Sequence, residues 1–412
     1  MGEGGHTLGR VKVVRGEAVR RWLAVGLGVA VLSSLPAVIA AWPAPAAAVD
    51  PTRLRGLILA SADRPYQGYV DSQGELKLPD LPVVGEVLAL ARGATRIRTW
   101  YAGPRSWRVA VLTTTGERDI YRTADGTFLW DFERNLIGFT PGELPVRLPW
   151  APDVVPPELT RRILAAAAPD DRISALPARR VAGVTAAGLR LTPADPKTTV
   201  GSVDIWADPD TGLPLRVQLT GKGATQPVLV TEFGDLRQTA PEGRILVPSA
   251  PDEAGLTVVG SEEVASAIGK VAPVLLPDSL AGRPALRQVS ISVVPGIAAY
   301  GSGLSTFAVL ALPRGVGADA LEKARRAGGT PFANAPGSGE ATIRTDSGEW
   351  IYLTDLIEGY ELRAGVLSAV IVRTEPPLGE VGRQRPRTYL LVGMVTLDLL
   401  RQAANELNGR PR

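Results

Sequence analysis

The chain has 412 residues, 45% of them apolar and 21% charged, enough for two or three domains with a sizeable core. It has no cysteine and one histidine, His6. This excludes disulfides, thiolate metal sites and cysteine nucleophiles, and leaves the body without an imidazole for a catalytic triad or a metal. The net charge of +3 belongs to the first 21 residues, where five basic side chains (Arg10, Lys12, Arg15, Arg20, Arg21) stand against Glu3 and Glu17. The remaining charges balance, so no concentrated basic face for nucleic acid is implied.

The leader, residues 1–48, carries an uncharged run from Trp22 to Ala41 behind Arg20-Arg21. The run is long enough to cross a bilayer. Two readings stand. Pro36 and the small-residue site Ala46-Ala47-Ala48 favour a cleaved signal peptide, while the length of the run favours a retained membrane anchor. Both leave the basic flank in the cytoplasm and the body outside. The expected location is therefore the cell membrane or the secreted fraction.

Residues 49–240 are expected to form the first domain. Asp50 and Pro51 cap and open a helix to Ala62 with Leu54, Leu57 and Ile58 on one face. A strand follows from Tyr66 to Asp71. Leu76 to Leu90 is apolar, punctuated by proline and without a clear period, either a loop packed on the core or a mobile flap. Thr95 to Asn135 reads as four or five antiparallel strands. Ile97, Thr99 and Tyr101 alternate with Arg96, Arg98 and Trp100. Trp107, Val109 and Val111 share a face, as do Phe128, Trp130 and Phe132, and turns fall at Gly103-Pro104, Thr115-Gly116-Glu117 and Asp125-Gly126. Four of the eight tryptophans lie between Trp100 and Trp150, which indicates a thick core or a wide apolar cavity.

A helix is expected from Glu158 to Ala168, with Leu159, Ile163 and Leu164 apolar and Arg161-Arg162 exposed. Strands follow at Val181 to Leu191, Gly201 to Asp208, Pro214 to Thr220 and Val228 to Asp235. An antiparallel sheet of about ten strands curls, so the fold class is α+β with a curled half-barrel and flanking helices. Residues 241–285, rich in Pro, Gly and Glu, are expected to be a linker with a short helix at Ser261 to Ile268. Residues 286–412 form a smaller α+β domain. Its strands are Ser305 to Leu312, Glu340 to Arg344, Glu349 to Thr354, Tyr360 to Leu362, Leu367 to Arg373 and Tyr389 to Val395, and its helices Asp319 to Ala327 and Leu397 to Leu407.

The closest carboxylates, Asp204, Asp208 and Asp210, include Asp208-x-Asp210-x-Gly212, which begins like a calcium loop. Leu219 occupies the position where such a loop needs glutamate, so a hairpin turn is the expectation. Asp131 and Glu133 read as an acid pair at an exposed strand end. Gly301-Ser302-Gly303 lacks the spacing of a nucleophile elbow, and no phosphate-binding glycine pattern occurs. No catalytic residue, metal or cofactor is assigned, and the expectation is a protein that is not an enzyme. The candidate ligand-lining set is aromatic: Trp100, Trp107, Phe128, Trp130, Phe132, Trp206 and Phe233. These rings either fill a core or line a cavity for an acyl chain, in which each buried methylene contributes about 0.8 kcal/mol.

The segment YRTADGTFLWDFERN, with VDIWADPDTGLPLRVQL and VLVTEFGDL after it, resembles the LolA-like lipoprotein-carrier fold over about Asp50 to Gln238. With a smaller second domain carrying STFAVLAL and a terminal YLLVGMVTLDLLRQAANEL, the body resembles the MucB/RseB-type regulators. The resemblance implies an unclosed antiparallel barrel that binds a lipid or the acyl chain of a lipoprotein. The alternative it implies is an envelope-stress regulator that binds a membrane anti-sigma factor. It transfers no individual functional residue.

Overall fold

The computed structural model describes residues 49–76, 90, 92–142, 149–249, 253–258, 274–286, 296–331, 341–344, 350–353, 358–374 and 387–409, with Trp22 and Val25 of the leader. Met1–Pro45 and Ala46–Arg412 are two compact units. In the first, Trp22 and Val25 are helical and exposed. No helix among the described residues is long and apolar enough to cross a membrane.

The second unit opens with α1 (Pro51–Ala60). The Asp50 carboxylate accepts from the Arg53 amide at 2.9 Å and Pro51 occupies the first turn, so the helix start is satisfied locally. Its buried residues are Leu54 and Ile58, each contributing roughly 1.5–3 kcal/mol by burial. A meander follows: β1 (Tyr66–Glu75), β2 (Arg92–Gly103), β3 (Ser106–Leu112), β4 (Glu117–Arg122), β5 (Gly126–Asp131) and β6 (Leu136–Pro141). After α2 (Pro156–Ala166), a second meander comprises β7 (Arg172–Val181), β8 (Val184–Thr192), β9 (Val200–Ala207), β10 (Pro214–Gly221) and β11 (Pro227–Arg237).

Pairing of β1 with β11 joins the two meanders, so the sheet order is β6-β5-β4-β3-β2-β1-β11-β10-β9-β8-β7, antiparallel throughout. Gly68 makes the seam possible. A Cβ there would lie 2.3 Å from the Asp235 carbonyl oxygen and 3.1 Å from the Phe233 ring. A bulge at Tyr69/Val70 adjoins it. One face of the sheet carries α1, α2 and the turn at 151–154. Leu54, Ile58, Ile163 and Leu164 pack on Leu189, Val203, Ile205 and Val217, and Ala151 and Val155 pack with Val70, Ile97, Val109 and Phe233.

The expected linker contributes structure to both sides. β12 (Gly255–Val258) adds in parallel to β6 and extends the sheet to twelve strands. β13 (Ser279–Leu280) and β14 (Arg283–Pro284) form a small hairpin, and Leu280 and Ala281 are buried in the C-terminal core. The expected helix at Ser261 to Ile268 lies outside the described residues, as does most of the Leu76 to Leu90 segment.

The C-terminal strands are β15 (Ile297–Tyr300), β16 (Phe307–Leu312), β17 (Thr330–Pro331), β18 (Ala341–Arg344), β19 (Trp350–Leu353), β20 (Glu358–Ala364), β21 (Leu367–Thr374) and β22 (Arg387–Gly393). Six of them form a sheet in the order β15-β16-β22-β21-β20-β17, while β18 and β19 pair separately. Helix α3 (Arg314–Arg326) covers one face through Ala320, Leu321 and Ala324, and α4 (Leu397–Gly409) covers the other through Leu400, Ala403 and Ala404. The two sheets are tied by backbone and hydroxyl bonds. The Thr198 hydroxyl lies 2.8 Å from both the Leu304 and Met394 carbonyl oxygens, and Arg283 pairs with Asp195 at 2.6 Å.

Candidate functional site

Directly opposed residues in an antiparallel sheet share a face, so the register sorts the aromatic set. Tyr66, Tyr101, Trp107, Arg122 and Thr127 form one cross-strand row over β1 to β5. Thr99, Val109 and Ile120 form the next row on that face. Both rows lie on the side covered by residues 150–162. Between them is a cavity of about 380 Å³, within the size range of small-molecule sites. Its floor is Tyr66, Thr99, Tyr101, Trp107, Val109, Arg122 and Thr127. Trp150, Pro152, Asp153 and Val155 contribute to its roof, with Glu158, Arg161 and Arg162 of α2.

The rings are fixed against one another. Tyr66 and Tyr101 stack at 4.9 Å, and Trp107 meets Trp150 edge-on at 6.1 Å. The Tyr101 hydroxyl donates to the Ala62 carbonyl oxygen at 2.6 Å. Burial raises the pKa of both Tyr66 and Tyr101, so both phenols remain neutral. Asp153 locks the roof in place. It accepts from the Trp150 amide at 3.0 Å and pairs with Arg162 at 3.0 Å. Glu158 accepts from Arg162 at 2.5 Å and from Arg161 at 3.4 Å. Burial works against the Arg162 charge, but Asp153 and Glu158 outweigh it and raise its pKa. Arg122 donates to the Thr127 hydroxyl at 3.1 Å and the Gly142 carbonyl oxygen at 2.6 Å.

Of the seven rings singled out from the sequence, Trp107 lines this cavity. Phe233 lies on the same face, buried behind Tyr66 with the two rings edge-on at 5.7 Å. Trp100 and Phe128 belong to the row Trp100, Arg108, Tyr121, Phe128, Phe139 on the opposite face, where Arg108 sits 4.8 Å above the Trp100 ring and Phe128 stacks on Phe139 at 4.4 Å. Trp130 is on that face too, opposite Asp119. Phe132 is exposed beyond the end of β5. Trp206 opposes Arg216 and Gly188 in the other half of the sheet, and its indole donates to the Pro177 carbonyl oxygen at 3.0 Å. The structure therefore does not bring the seven together. It adds Trp150, Tyr66, Tyr101 and Arg161, which lie outside that set. Arg161, expected on the exposed face of α2, has a side chain only 12% exposed, because that flank of the helix closes the cavity.

The carboxylate candidates are engaged in structure. Asp204 takes both Arg190 guanidinium bonds at 2.6 Å. Asp208 accepts from the Asp210 and Thr211 amides and from Gln238 at 2.6 Å, the pattern of an Asx turn. Asp131 pairs with Arg118 at 3.2 Å, while Glu133 bonds the Thr113 and Thr115 hydroxyls, so the two do not act as a pair. Among the described residues no group of three His, Asp or Glu side chains converges as a metal site would require.

No family model and no curated protein matches the chain. Among solved structures, it is similar to MucB in the Pseudomonas aeruginosa MucA/MucB complex, at 17% identity and a TM-score of 0.46, over 86% of this chain and 97% of that one. It is also similar to an uncharacterised conserved protein of Thermus thermophilus, at 11% identity and a TM-score of 0.32, over 50% and 98% of the two chains. A LolA superfamily protein of Nitrosomonas europaea aligns at 14% identity and a TM-score of 0.24, over 49% and 99%. The chain is thus similar to MucB over most of its length and to a LolA superfamily protein over about half of it, the two groups its sequence motifs resemble.

Proposed function

We propose that this protein is a non-enzymatic, extracytoplasmic binding protein that holds a lipid or lipoprotein acyl chain in the cavity between the β1–β5 face and α2. The observation that carries this reading is the cavity itself, floored by a row of rings and roofed by residues 150–162. An acyl chain needs no imidazole, thiol or metal, and eight methylenes entering such a space would contribute roughly 6 kcal/mol before the cost of association. Trp107 and Trp150 provide the test, since both line the cavity. A bromine-labelled acyl chain should quench tryptophan fluorescence, and unlabelled chain should reverse the effect. Absence of quenching by any acyl probe would dismiss the reading.

A membrane anti-sigma factor as partner is the second reading. Its support is the sheet edge at β12, where Leu256 and Val258 are exposed side chains on the terminal strand of the sheet, beside β6. An extended apolar segment can add to such an edge. Co-purification of a single-span partner that is lost on Leu256→Glu would support it, and retention would count against this surface.

A further inference from the structure

Tyr66, Tyr101, Trp107, Arg122 and Thr127 stand opposite one another on β1 to β5, and all five line the cavity. Exposure falls along this row in one direction. Thr127, Arg122 and Trp107 are half-buried, whereas Tyr101 and Tyr66 are buried. At the buried end the two tyrosine rings stack at 4.9 Å, and Phe233 backs Tyr66 at 5.7 Å. The Tyr101 hydroxyl is taken up by the Ala62 carbonyl oxygen. The row therefore runs from a solvated end at β4 and β5 to a wall of rings at β1.

Length and volume give the same capacity. Neighbouring strands lie about 4.8 Å apart, so the row spans roughly 19 Å. An extended chain advances about 1.2 Å per bond, so that distance takes about 15 bonds. A site of about 150 Å³ admits benzene, so about 380 Å³ holds roughly 15 carbons. Spread along the row, that volume leaves a mean section of about 20 Å². Carbons in contact stand about 4 Å apart, so one chain fits this section and two side by side do not.

We propose, resting on the acyl-chain reading of this cavity, that it is a ruler for one unbranched chain of up to about 15 carbons, with the Tyr66–Tyr101 stack as its stop. The methyl end meets the stacked rings, and the polar end stays where water reaches Arg122 and Thr127. A longer chain leaves its surplus methylenes in water, where they add nothing to affinity. A lipid with two chains inserts one of them.

The saturated carboxylates from octanoate to arachidate, each below its micelle concentration, test the ruler by displacing an apolar fluorophore from the full-length protein. Affinity should rise about fourfold per methylene and level off between myristate and palmitate. Tyr66→Leu opens the stop and should move that point to chains longer by about two to four carbons. Tyr66→Phe keeps the ring and should leave it in place. Levelling at laurate or shorter, or a rise that continues past palmitate, would overturn the ruler and leave the acyl-chain reading standing. A levelling point unmoved in a Tyr66→Leu protein that unfolds cooperatively, or moved equally by Tyr66→Phe, would overturn the stop. Binding at no chain length would overturn both readings. The series in the unsubstituted protein needs no variant to fold.

Discussion

Val109→Phe tests whether the space over the β1–β5 face is open to ligand. Val109 is 3% exposed, lines the cavity and stands opposite Thr99 and Ile120. In a filled core, inserting a phenyl ring forces off-rotamer packing and costs about 1–3 kcal/mol. In a cavity of about 380 Å³ the ring enters vacant space, so folding stability should change by less than about 1 kcal/mol. Ligand affinity should fall, because the ring takes the place of the chain. Exclusion of four methylenes removes about 3 kcal/mol, or roughly 100-fold in affinity. Urea unfolding followed by tryptophan fluorescence gives the first quantity, and displacement of an apolar fluorophore gives the second. A loss of stability of more than about 1 kcal/mol, or an unchanged affinity, would refute the placement of the ligand against Val109.

Other expectations concern the scaffold. Asp208 is buried, which opposes its charge, but the bonds from Gln238 and the Asp210 and Thr211 amides outweigh burial and lower its pKa. A carboxylate with a depressed folded pKa stabilises above the ordinary carboxylate range, and that contribution fades as pH falls through the folded value. Asp208→Asn should therefore lower the urea midpoint near pH 7 and flatten its decline below about pH 4, and parallel pH profiles would contradict this assignment. Thr198→Val keeps the shape but removes a hydroxyl that lies 2.8 Å from the Leu304 and Met394 carbonyl oxygens, and it should cost about 1–3 kcal/mol in urea. A cost below about 0.5 kcal/mol would show that water replaces those bonds. Gly317→Ala places a Cβ 2.6 Å from the Thr388 side chain where α3 crosses β22. Although alanine favours helix by about 1 kcal/mol, the melting temperature should fall, and a rise would mean that α3 can shift.

Alternation in the sequence is enough to find β2 to β5 and to put Trp107 with Val109. It does not sort rings between strands, because that depends on the parity of each turn. The turn between Gly103 and Ser106 pairs Tyr101 with Trp107 and so sends Trp100 to the other face. Trp150 stands in an aperiodic stretch, and its position depends on the Asp153 contact rather than on any period. β7 escapes a periodicity reading because an edge strand has a largely exposed, arginine-rich pattern, and its register shift between Leu176 and Arg179 breaks the alternation. β12 escapes for a related reason: all four of its residues are exposed, and the pair Leu256 and Val258 is too short a run for alternation to mark a strand. Arg161 follows ordinary helical spacing, and only the packing of α2 over the sheet turns it toward the cavity.

Native mass spectrometry of the gently purified protein, with and without added laurate, addresses the central claim most directly. A one-to-one adduct of an acyl-chain mass should form and be lost on Val109→Phe. Only unliganded protein at every laurate concentration, from a sample whose unfolding is cooperative, would contradict it.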